Sequence, residues 1–197
     1  LFIAIAALLA AAGLNAPEVF EHDLDSGFMM LKDLGKDLYF DKLSDTDQIE
    51  PLYQDAFVAL AKMQQVSAIV DPYDQVLLQE EMSLFPDWFL SRQLGIDCAP
   101  ELLQEVFSLM IVNASNQPQV FVHRDYHCRN LMVSQPNPGV IDFQDAVIGP
   151  ITYDLVSLLK DCYHKFPADQ IERWVMEYRA RLVLAGQLEA SVSESTF

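Results

Sequence analysis

The chain has 197 residues, 51% of them hydrophobic, with 29 acidic and 12 basic side chains and a formal charge of −17. Length and hydrophobic share suit one packed domain, or part of a somewhat larger one, and exclude a disordered tail. The charge argues against nucleic acid and anionic membranes as partners, so any phosphate must be gripped locally against the overall field.

The opening "LFIAIAALLAAA" is twelve apolar residues. A helix of that length spans roughly 18 Å, short of the ~30 Å hydrocarbon core. No basic segment precedes it, as a secretion signal would require. The expectation is a buried helix ending at Gly13, and its uncapped start at residue 1 reads as a cut chain. "PEVFEHD" and "GFMMLKDLG" then predict two short strands about a turn from Asp23 to Gly27. Such a pair needs more strands for stability, which places the rest of that sheet upstream.

From 45 to 66 the chain sets Leu52, Ala56, Phe57, Leu60, Ala61 and Met63 at helical spacing. "YDQVLLQEEMSLFPDWFLSRQLG" continues helical with a break at Pro86, and Trp88 and Phe89 are expected to pack. "PELLQEVFSLMIVNAS" predicts a further helix. Two short strands follow, "QVFVHRD" and "PGVIDFQDA", flanking a hairpin with "SQPNPG" at its tip. "TYDLVSLLKDCYHKF" and "ADQIERWVMEYRARLVLAG" each hold a C-terminal helix, and the tail "QLEASVSESTF" offers no stop signal. Cys98, Cys128 and Cys162 are odd in number and far apart, which fits neither a disulfide framework nor a zinc site and implies a reducing cytoplasm.

The chemistry concentrates in "VFVHRDYHCRNLMV", residues 120–133, where Asn130 follows Asp125 by five positions. Asp125 follows a strand and Asn130 begins the next, so the loop between them can aim both side chains into one crevice. "VIDFQDA" adds Asp142 at the end of the hairpin's return strand. Magnesium prefers hard oxygen ligands and keeps several waters, so a carboxylate and a carboxamide with nucleotide phosphates suffice; Asn130 and Asp142 suit that task. Asp125 is left to accept the proton of a substrate hydroxyl attacking the γ-phosphate. His123 is expected to support the loop from the core. His127 reads as a substrate contact or a scaffold residue, and Cys128 as a small residue in a tight loop. Asp154 is expected to tie back to the loop backbone, and Asp145 is either a polar site residue or a strand end.

Together "HRDYHCRNLMV", "GVIDFQDAVIGP" and "TYDLVSLLKD" resemble the aminoglycoside phosphotransferase and choline kinase superfamily. The resemblance covers nearly the whole chain. "IDFQDAVIGPITYDLVSLLKDCY" is similar, more closely, to bacterial cell-wall-recycling kinases that phosphorylate N-acetylmuramate and N-acetylglucosamine at the C1 hydroxyl. It implies an α+β, protein-kinase-like fold, mostly the helical C-lobe with a partial N-lobe. Residues 1–34 would be the N-lobe remainder and 35–197 the C-lobe. It also implies a cytoplasmic enzyme that uses ATP and Mg2+ on a small-molecule sugar. Asp125 would be the catalytic aspartate, Asn130 and Asp142 the Mg2+ ligands, and "MLKDLG" the hinge, where the Lys32 carbonyl and the Leu34 amide would meet adenine.

Several features depart from that pattern. There is no glycine-rich loop and no strand lysine of the kind that pairs with nucleotide phosphates, and Lys32, in the hinge, cannot replace it. Both would then lie before Leu1, and residues 1–197 alone would bind ATP poorly and turn over little. Gln144 stands where a glycine usually follows Asp-Phe. From Phe143 to Thr152 there is no room for an activation loop, which favours a small-molecule acceptor over a peptide. Two rivals follow: an aminoglycoside kinase, whose cationic substrate suits the acidic balance, and a pseudokinase-like binding module, against which Asp125, Asn130 and Asp142 argue.

Overall fold

An apolar helix, α1 (Phe2–Ala11), opens the computed structural model, which describes residues 1–192. It buries Ile5, Ala6 and Leu9 and is followed by Gly13 at φ +75°, a left-handed turn that glycine makes without a Cβ penalty. Phe2 stacks on Phe143 with ring centroids 4.8 Å apart. Strands β1 (Val19–Asp23) and β2 (Phe28–Leu31) form the expected antiparallel pair, in register from Glu21 opposite Met30 to Asp23 opposite Phe28. Ser26 donates its amide to Asp23 at 3.1 Å within the turn.

After the one-turn helix α2 (Tyr39–Lys42) comes α3 (Thr46–Met63), capped by Asp45, whose carboxylate accepts the Asp47 amide. Its apolar face is buried as the periodicity predicts, and α7 (Ala168–Leu184) covers it. Tyr53 stacks on fully buried Trp174 at 4.9 Å, Phe57 and Phe166 meet the same indole, and the indole N–H reaches Glu50 at 3.1 Å. Interdigitated aromatics of this size carry much of a core's burial energy, and truncating one typically costs about 3–5 kcal/mol.

Two expectations need correction. First, α4 (Gln75–Leu84) runs unbroken into a π-helical segment, Phe85–Leu94, with Pro86 in its first turn and Gly95 ending it. Pro86 thus marks a change of helix type. The exposure of Trp88 (57%) and Phe89 (50%) puts both outside the core; Arg92 lies 4.0 Å over the Trp88 ring. Second, after α5 (Pro100–Asn116), strand β3 (Gln119–Val122) pairs with β6 (Val147–Pro150), which the sequence reading passed over. The hairpin around "SQPNPG" has the shorter arms β4 (Leu131–Met132) and β5 (Gly139–Val140). Arg124 (φ 77°) and Asp142 (φ 66°) take left-handed conformations that turn the chain out of both strands, so "VIGP" is what reaches β3. As expected, "TYDLVSLLKDCYHKF" holds a helix, α6 (Tyr153–Leu159); it stops at Lys160, where Asp161 accepts the amides of Tyr163 (2.8 Å) and His164 (3.0 Å) and competes with further helix.

Residues 193–197 of the tail lie outside the described residues. Among the described residues, no helix is long and apolar enough to cross a membrane, and Cys98, Cys128 and Cys162 are free.

Candidate active site

The loop from His123 to Asn130 joins β3 to β4, and buried groups hold it on three sides. Asp154, in the first turn of α6 and fully buried, accepts the amides of His123 (2.7 Å) and Arg124 (3.1 Å), so it does tie back to the loop as expected. These two bonds hold Arg124 in its left-handed conformation immediately before Asp125. Tyr126 points the other way, fully buried, and its hydroxyl donates to Ala56 O on α3 at 2.8 Å. The inward Tyr126 leaves Asp125 facing outward and exposed.

His123 is the third anchor. The Asp125 amide donates to its Nδ1 at 3.3 Å, so the neutral ring carries its proton on Nε2, 3.0 Å from Ile141 O. That bond joins the loop to the residue before Asp142. Burial pushes the imidazole down to about 4, keeping it neutral, and pushes the Asp154 carboxyl up to about 7 against the two amides that favour its charge. Cys128 is buried with its thiol 3.2 Å from Asp161, and burial chiefly raises its pKa, which makes it inert packing.

Asn130 stands between the two carboxylate-bearing positions. Its Nδ2 donates to the Asp125 carbonyl at 3.0 Å and lies 3.4 Å from Asp142 Oδ2. With both neighbours acceptors, the amide orientation is set, and among the described residues Oδ1 takes no hydrogen bond. Gln144, in the place of the usual glycine, donates Nε2 to the other Asp142 oxygen at 2.8 Å. The loop carrying Asp125, Asn130 and Asp142 are therefore brought together at one edge of the β4–β5 hairpin. Asn130 and Asp142 are neighbours through the Asn130 amide nitrogen, and a carboxamide with a carboxylate is a hard-oxygen donor set suited to Mg2+ completed by phosphates and water. Among the described residues no group of three or more His, Cys, Asp or Glu could hold a metal.

Lys32 follows β2, its amide bonded to Glu18 O at 2.8 Å. Leu34 is buried over the hairpin: a Cβ at Gly139 would lie 3.0 Å from Leu34 Cδ1 and 2.7 Å from Ser134 Oγ, so only glycine lets the two segments meet this closely. Val133 N donates to Asp37 O at 2.8 Å, fastening the segment after Leu34 to the same hairpin. Asp145 is exposed and contributes its carbonyl, 3.4 Å from Arg124 Nη1.

Two features escaped the sequence reading. Arg124 pairs with Glu81 of α4, which also takes the Tyr73 hydroxyl; Tyr73 in turn lies 3.1 Å from the Tyr153 hydroxyl. No local pattern announces a contact between residues 43 positions apart. Asp125 and His127 also edge a cavity of about 820 Å3 between α5 and α6.

The profile described as the phosphotransferase enzyme family matches residues 1–189. The chain belongs to the phosphotransferase enzyme family. Within it, the chain is 41% identical to an N-acetylmuramate/N-acetylglucosamine kinase of Pseudomonas aeruginosa and 44% identical to one of Pseudomonas putida, over 94% of this chain and 56% of each relative. A Neisseria meningitidis protein of the same name is 35% identical over 87% of this chain and 54% of its own length. The chain thus spans about half the length of these phosphotransferase relatives. Among solved structures, an ADP-bound aminoglycoside phosphotransferase matches with a TM-score of 0.63 at 16% identity, over 94% of this chain and 68% of that one. A choline/ethanolamine kinase family protein from Mesorhizobium loti matches at 0.62 and 19%, over 90% and 59%. The fold is that of these phosphotransferases: α+β and protein-kinase-like.

Proposed function

We propose that the protein to which this chain belongs is a cytoplasmic ATP-dependent kinase that phosphorylates the anomeric hydroxyl of an amino sugar, N-acetylmuramate or N-acetylglucosamine. The observation that carries this reading is the meeting of the Asp125 loop, Asn130 and Asp142, in a chain over 40% identical to two kinases of that name. In the proposed mechanism Asp125 accepts the hydroxyl proton and orients the oxygen in line with the γ-phosphate. Asn130 Oδ1 and Asp142 would hold Mg2+, which would supply neutralisation of the phosphate charge that develops in the transfer. Phosphoryl transfer asks a protein mainly for positioning and electrostatics, and the anchors at His123, Tyr126 and Asp154 provide the first. The Lys32 carbonyl and Leu34 amide meet the adenine, and Leu34 couples that contact to the hairpin. Residues 1–34 belong to the smaller, nucleotide-side lobe and the rest to the helical lobe that takes the sugar.

A second reading, an aminoglycoside kinase, is favoured by the −17 charge and by Glu80, which lines a second recess with Asp125, Glu81 there being paired with Arg124. The test is a phosphate-transfer assay on the protein at its full encoded length, with N-acetylmuramate, N-acetylglucosamine and a kanamycin-type compound in parallel. Transfer to the sugars supports the proposal; transfer to the antibiotic alone replaces it. Binding of all three without transfer would point to a non-catalytic module.

A further inference from the structure

We infer that Lys160 forms a carboxylate subsite in the acceptor cavity and sets preference for an anionic amino sugar over a neutral one. The inference rests on the sugar-kinase reading above and deepens it. The cavity of about 820 Å3 is bounded by Asp125 and His127 on the loop and by α5 and α6. Lys160 is the one Lys or Arg among its lining residues, in a chain with 29 acidic groups to 12 basic ones. Among the described residues its ammonium is in no ion pair. The adjacent Asp161, by contrast, is committed: its carboxylate already takes the Cys128 thiol and two backbone amides.

The placement follows from α6. Its first turn is fixed to the catalytic loop through Asp154, next to Asp125, and Lys160 caps its far end. Six residues of helix rise separate those points by roughly 9 Å, which a hexose with one substituent, plus the reach of a lysine side chain, spans comfortably. A sugar with its C1 hydroxyl at Asp125 therefore directs its far substituent towards Lys160. N-acetylmuramate and N-acetylglucosamine differ by the lactyl ether, whose carboxylate is the one charge on either sugar. A carboxylate near Asp125 would be repelled, and Lys160, at the C-terminal end of α6, is the lining residue whose ammonium attracts it. Leu109, Met110 and Val156 supply apolar wall for the methyl groups.

The test compares kcat/KM for N-acetylmuramate with kcat/KM for N-acetylglucosamine in the full-length protein and its Lys160→Ala and Lys160→Arg variants. The expected result is that Lys160→Ala lowers the muramate-to-glucosamine ratio about tenfold through KM for the muramate, and that Lys160→Arg keeps most of it. The methyl ester of N-acetylmuramate, a neutral probe, should lose the same advantage in the wild type. An unchanged ratio, or equal damage on both sugars, overturns this inference and leaves the sugar-kinase reading standing. A wild type that phosphorylates neither sugar overturns both.

Discussion

Replacing Asp154 with asparagine isolates the carboxylate that holds the Asp125 loop, and its effect on stability should depend on pH with a defined sign. In the folded protein burial raises this carboxyl from its ordinary 3.8 to about 7. Between those values the folded protein keeps a proton that the unfolded chain releases, so wild-type stability falls as pH rises through that window, by about 4 kcal/mol in all. His123 works in the opposite direction. Its neutral ring, lowered from 6.5 to about 4, refuses a proton that the unfolded chain accepts, so its contribution grows as pH rises from 4 to 6.5, by about 3 kcal/mol. The two opposing slopes largely cancel in the wild type. Asp154→Asn removes one of them. At pH 4.5 the variant should fall short of wild type by about one hydrogen bond, on the order of 1 kcal/mol. By pH 8 it should be the more stable protein by a few kcal/mol, because an amide has no charge to desolvate. Turnover should move the other way, falling about 10- to 100-fold at pH 8, since only the carboxylate accepts both loop amides and a small shift of Asp125 is costly. Urea unfolding followed by Trp174 fluorescence, run on both proteins from pH 4.5 to 8, measures the difference. A stability difference that stays flat with pH would refute the reasoning.

Asp125→Ala should lower turnover by about 10² to 10⁴ while nucleotide affinity, read by calorimetry, changes little. Gly139→Ala places a methyl against Ser134 Oγ and Leu34 Cδ1, and should cost about 1–3 kcal/mol in urea unfolding and raise KM for ATP more than KM for the sugar. Glu81→Gln breaks a partly buried pair with Arg124, so stability should fall by about 1–3 kcal/mol; kcat should drop several-fold as the residue before Asp125 is freed. Trp174→Ala should cost about 3–5 kcal/mol and lower Tm strongly, with the surviving folded fraction retaining its KM values.

What the sequence made legible was the local part of the design. Asp125, Asn130 and Asp142 fall at spacings that a strand, a tight loop and a hairpin convert into neighbours, and Asp154 sits where a helix start meets the loop. Long-range pairing was harder. "VIGP" is too short to announce a strand, and it becomes β6 only because two left-handed residues, Arg124 and Asp142, redirect the chain towards β3. Pro86 reads as a breaker, yet the helix continues through it by changing from α to π type at Phe85, an adjustment that hydrophobic periodicity does not encode. Trp88 and Phe89 looked like core by composition, yet their helix buries no residue. The grip of Glu81 on Arg124 depends on how α4 lies across the loop, which hydrophobic periodicity does not encode.

Asp125, Asn130 and Asp142 should take up one defined arrangement around a nucleotide. A crystal structure of the full-length protein with Mg2+, a non-hydrolysable ATP analogue and N-acetylmuramate should put Asn130 Oδ1 and an Asp142 oxygen at about 2.1 Å from the ion. The Asp125 carboxylate should then lie within about 3 Å of the C1 hydroxyl. A metal held by other residues, or a sugar bound with C1 away from Asp125, would contradict it.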